Sequence, residues 1–81
     1  MIDEIKSRLL ILEPIKLEIT DDSHHHAGHA GNNGGGHFSI VISSNFFEYK
    51  SSLERHRMVY DPLKDLIPNK IHALQIKTET P

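Results

Sequence analysis

The apolar residues of this chain switch between helical and alternating spacing, and the order of those switches restricts it to one succession of elements. Ile2, Ile5, Leu9 and Leu12 recur at helical intervals, with Asp3, Glu4, Lys6, Ser7 and Arg8 across from them. Two acids in the first turn suit the positive end of a helix dipole, and Pro14 stops the helix. Ile15, Leu17 and Ile19 then alternate with Lys16, Glu18 and Thr20, which predicts a half-buried strand. Alternation returns at Phe38, Ile40 and Ile42, opposite His37, Ser39, Val41 and Ser43. Residues 44–50 read as an irregular connection holding Phe46 and Phe47.

Ser51 and Glu54 have the spacing of a capping box, in which each side chain satisfies the other's backbone donor. The helix it opens is expected to bury Leu53, His56, Tyr60, Leu63 and Ile67, with a break near Asp61-Pro62 because Pro62 lacks a backbone donor. Pro68-Asn69 ends it. Residues 71–78 form the last strand, expected to put His72, Leu74 and Ile76 on one face and Ile71, Ala73, Gln75 and Lys77 on the other. The result is an α+β domain of order αββαβ. Its first two strands pair as a long-looped hairpin, and the later helix is a right-handed crossover to a parallel third strand. This predicts a mixed three-stranded sheet with helices on one face.

The 81 residues make one small domain, 1–81. Such a chain buries only about 60% of its unfolded surface, so function belongs on a surface, loop or interface. The net charge of −2 and the lack of any Lys/Arg run count against a strong nucleic-acid binder, although seven histidines add charge in mild acid. With no cysteine, the chain alone builds neither a disulfide nor a thiolate metal site. No basic leader or long apolar run is present, so a cytoplasmic protein without membrane contact is expected. Nucleophile elbow, P-loop and dinucleotide fingerprint are all missing, and no enzyme is expected.

Between the first two strands, residues 21–36 lack apolar periodicity and hold all five glycines and four of the seven histidines. A loop this long in a compact domain is usually functional or disordered. His24, His25, His26 and His29 are candidate metal ligands, with an incidental polar tract as the equal alternative. The spacing His26-x-x-His29 carries no acidic base or cysteine that would make it a zinc motif. His72 is a further candidate at the lip of the apolar face, where a histidine bonded to a backbone carbonyl fits equally well. His56 reads as helix packing and His37 as a strand-start residue. Gly28-His29-Ala30-Gly31 matches the GxxG of RNA-binding KH domains but lies between strands, which rules out that role.

Taken together, Asp21-Asp22-Ser23 with His26, Gly35-Gly36-His37-Phe38, Val41-Ile42-Ser43-Ser44, the Phe46-Phe47 pair, Arg55-His56-Arg57-Met58-Val59-Tyr60 and Ile71-His72-Ala73-Leu74 resemble the signature of BolA proteins. The resemblance spans nearly the whole chain, departing at Pro62 and at Pro81, where the chain stops ahead of a short C-terminal helix that many members carry. It implies a class II KH-like fold without the GxxG loop. It also implies a monothiol glutaredoxin partner and a bridging [2Fe-2S] cluster completed by glutathione, with none held by the isolated protein. The implied ligands are His72 and His26, with His24, His25 and His29 as substitutes. Histidine pairs on one iron are known from Rieske-type centres. The free chain is expected as a monomer or weak homodimer. The competing reading is a DNA-binding transcriptional regulator using Arg55 and Arg57, with weak DNA affinity expected; a plain interaction adaptor is the third.

Overall fold

A computed structural model of the chain describes residues 1–23 and 36–81. Helix α1, Ile2–Leu9, turns Ile5 and Leu9 into the interior, and a 3-10 turn over Leu10–Leu12 adds Leu12. The Glu13 amide closes that turn on the Leu10 carbonyl at 2.9 Å, with Glu13 in the left-handed region at φ 48°. Pro14 follows, and β1 runs over Lys16–Asp21. Leu17 and Ile19 are half-buried as their alternation predicts, but Ile15 precedes the strand and is 60% exposed. Its amide donates to the Ser43 carbonyl at 2.8 Å, so its backbone docks and its side chain does not.

Strand β2, Gly36–Ser43, pairs antiparallel with β1 and parallel with β3, Ile71–Glu79, giving the order β1-β2-β3. This is the mixed sheet expected of an αββαβ chain. Phe38, Ile40 and Ile42 of its middle strand meet Ile5, Leu9, Leu12, Phe47, Val59, Leu63, Leu66 and Ile71 in one core. The opposite positions, Lys16, Glu18 and Thr20 on β1 and Ala73, Gln75 and Lys77 on β3, are exposed, so the helices cover one face. Beyond β2 the chain makes a 3-10 turn, Asn45–Phe47, capped by buried Ser44, whose hydroxyl also donates to the Leu12 carbonyl at 2.6 Å.

Helix α2, Ser52–Tyr60, opens with the capping box: the Glu54 amide donates to Ser51 Oγ at 3.1 Å and the Ser51 amide to Glu54 Oε1 at 2.9 Å. It converts at Asp61-Pro62 to a 3-10 segment, Asp61–Leu66, where the break was expected. The buried face is corrected. Leu53 is 60% exposed, and His56 is exposed and stacked on Tyr60 with ring centres 6.2 Å apart. Leu63 is buried as expected, Tyr60 and Ile67 are half-buried, and Val59 and Leu66 join Leu63 in the interior. Beyond Asp61-Pro62 the change from 3.6 to 3 residues per turn sets Leu66, rather than Ile67, beside Leu63 in the core.

The expected faces of β3 are corrected too. Ile71 is fully buried and His72 exposed, whereas Leu74 and Ile76 are half-buried beside the core. The register shifts between Gly36 and His37, with Gly36 opposite Ile71 but His37 opposite Ala73. That bulge inserts His72 as an extra residue and reverses the alternation ahead of it. Ile71 therefore shares the core side with Leu74 and Ile76, and His72 does not.

Candidate metal centre

Strands β2 and β3 are parallel and begin together, so their first residues lie at one end of the sheet, where β1 ends. The Gly36 amide donates to the Lys70 carbonyl at 3.0 Å, joining the two strand starts. A Cβ on Gly36 would run into the Phe38 ring, itself 4% exposed in the core, so this approach is open to glycine alone. His37 is then fixed from the other side. Its amide donates to Ser23 Oγ at 3.0 Å, and its carbonyl accepts from the Asp22 amide at 2.7 Å. Ser39 Oγ donates to Asp22 Oδ2 and the Ser23 amide to Asp21 Oδ1, which ties the segment after β1 onto β2.

The bulge brings the His72 ring beside that of His37, with centres 5.2 Å apart and planes tilted by 42°. His72 is exposed and His37 half-buried. No group of three or more His, Cys, Asp or Glu side chains is placed to hold a metal among the described residues. His24, His25, His26 and His29 lie outside the described residues. His37 was read from sequence as a strand-start residue. Its significance rests on strand pairing, and the one legible signal was that two parallel strands each open on a histidine within two residues.

Arg55 and Arg57 are on the helical layer, apart from the histidine pair. Arg55 Nε donates to the Lys50 carbonyl at 3.0 Å, whereas Arg57 is exposed.

Residues 10–81 match the model of the BolA-like protein family. The chain belongs to the BolA-like family. This BolA-like domain is 44% identical over 81 residues to a BolA-like protein of Dictyostelium discoideum, covering 98% of the chain and 69% of the relative. It is 37% identical over 68 residues to the DNA-binding transcriptional regulator BolA of Escherichia coli, covering 84% of the chain and 63% of that protein. SufE-like protein 1 of Arabidopsis thaliana, chloroplastic/mitochondrial, is 43% identical over 76 residues; they make up 86% of the chain but only 20% of that relative. Among solved structures, the BolA domain of SufE1 from Arabidopsis thaliana superposes with a TM-score of 0.82 at 41% identity, covering 98% of this chain and 90% of that one. BolA1 from the same plant gives 0.83 at 35% identity, with 98% and 89% covered. No described helix is long and apolar enough to cross a membrane.

Proposed function

We propose that this BolA-like domain acts in the cytoplasm as the histidine-bearing partner of a monothiol glutaredoxin, sharing a [2Fe-2S] cluster completed by the partner's cysteine and glutathione. The observation carrying this reading is the exposed His72, lifted out of the core by a strand bulge and backed by fully buried Ile71. The donor set fits one half of such a site: the chain offers imidazoles and no thiolate, so the thiolates must come from elsewhere. His26 follows Ser23 by three residues, a reach of roughly 10 Å, and Ser23 touches the His37 amide. That makes His26 the second ligand in this proposal, with His24, His25 and His29 close enough along the chain to substitute. The domain's part is to present the His72 ring on a strand anchored by buried Ile71. The cluster supplies the redox and transfer chemistry when bound.

The test is the visible circular dichroism of a cluster-loaded glutaredoxin mixed with the domain. His72→Ala is expected to abolish the spectrum of the mixed complex while the far-ultraviolet signal stays native. His26→Ala is expected to weaken it, with full loss only when the other loop histidines are removed as well. A folded His72→Ala variant that keeps the wild-type cluster spectrum overturns the assignment.

The name of the Escherichia coli relative favours a second reading, a DNA-binding transcriptional regulator. Here Arg55 and Arg57 would contact phosphate, and Arg57→Ala would lower the salt slope of binding by about one unit. Weak, sequence-indifferent binding at physiological salt counts against this reading, and a nanomolar selective complex puts it first.

A further inference from the structure

We propose that His37 and His72 together form a zinc-binding site on the free domain, independent of any glutaredoxin. The two rings stand 5.2 Å apart, centre to centre. With metal–nitrogen bonds of about 2.0–2.1 Å, two imidazoles on a tetrahedral ion place their ring centres about 5.2 Å apart. The spacing is thus compatible with both rings reaching one tetrahedral ion once they turn toward it, and imidazole is a common zinc ligand.

The positions are held by backbone. His37 is fixed through its amide and carbonyl to Ser23 and Asp22, and His72 sits one residue from the fully buried Ile71. The backbone at both positions is therefore ordered before any metal arrives. Asp22 and His37 line one shallow depression at this end of the sheet, and the carboxylate favours a cation there. Two ligands leave the remaining positions to water or to a group from another molecule, as in open zinc sites. Because His72 serves both, zinc here and a shared cluster exclude each other.

The experiment titrates the purified, full-length free chain with Co2+ alone, reading the intense visible absorption of tetrahedral cobalt, and then displaces it with Zn2+ followed by calorimetry. The wild type is expected to develop the tetrahedral spectrum. His72→Ala and His37→Gln are each expected to weaken zinc binding by at least about tenfold, with far-ultraviolet spectra showing a native fold. The variant with alanine at 24, 25, 26 and 29 is expected to bind as the wild type does. An octahedral cobalt spectrum, undiminished binding in folded His37→Gln, or loss of binding in the loop variant each overturns the site. No glutaredoxin is present, so failure here leaves the cluster reading standing, and failure of cluster sharing leaves this site standing.

Discussion

Ile71 and His72 are consecutive residues with opposite fates, one fully buried and the other exposed, because the bulge opposite Gly36-His37 places His72 outside the regular pairing. The buried member anchors the strand start and the exposed one is available for ligation. Ile71→Ala should therefore cost about 2–5 kcal/mol as a large-to-small core change. His72→Ala should stay within about 0.5 kcal/mol of wild type. Urea unfolding of the free domain checks both, and equal costs would place His72 in the core after all.

Gly36→Ala should destabilise the domain and disturb the site together. The added methyl meets the Phe38 ring, whose displacement opens the core and moves the adjacent His37. A cost of about 1–3 kcal/mol is expected for such overpacking, with altered His37 and His72 ring resonances in the nuclear magnetic resonance spectrum. Unchanged resonances in Gly36→Ala would show that Phe38 yields without passing the strain to the site.

Ser44→Ala should cost about 1–3 kcal/mol by leaving the buried Leu12 carbonyl without its donor. The same hydroxyl accepts from the Phe46 amide at 3.0 Å, so one small side chain joins the end of the first helical segment to the turn after β2. The denaturation midpoint should fall at an unchanged slope. A change near zero would mean that water replaces the hydroxyl.

Arg8 pins α1 to the segment after α2. It donates to Glu4 at 3.0 Å, to the Pro62 carbonyl at 3.1 Å and to Asp65. The Arg8 hydrogen bond holds the Asp65 carboxyl below the usual carboxylate range. A carboxyl depressed in the folded state stabilises it above the unfolded pKa, and that contribution is lost as pH falls through the folded pKa. The urea midpoints of wild type and Asp65→Asn should thus differ at pH 7 and converge below roughly pH 4. Asp65 is exposed and Arg8 only half-buried, so the difference should be small and shrink in high salt. Glu54 is depressed by the Ser51 amide and is lost over the same acidic window in both proteins, so a gap that persists at low pH would rule out the Asp65 charge as its source.

The order αββαβ, the alternations of residues 16–20 and 37–42, the capping box and the break at Pro62 were legible because each depends on neighbours within a few positions. Covalent geometry sets their periods, and Pro62 lacks its donor in any context. The absence of cysteine likewise determined which ligands this chain can offer. Tertiary structure decided the rest. Packing turned Val59 of α2 inward and left Leu53 and His56 exposed, and the 3-10 segment set Leu66 beside the expected Leu63 in the core. The bulge opposite Gly36-His37 is set by the register with β3, which no local pattern encodes. His37 and His72 are 35 residues apart in sequence. Their 5.2 Å approach exists only because two parallel strands begin together and one carries an extra residue.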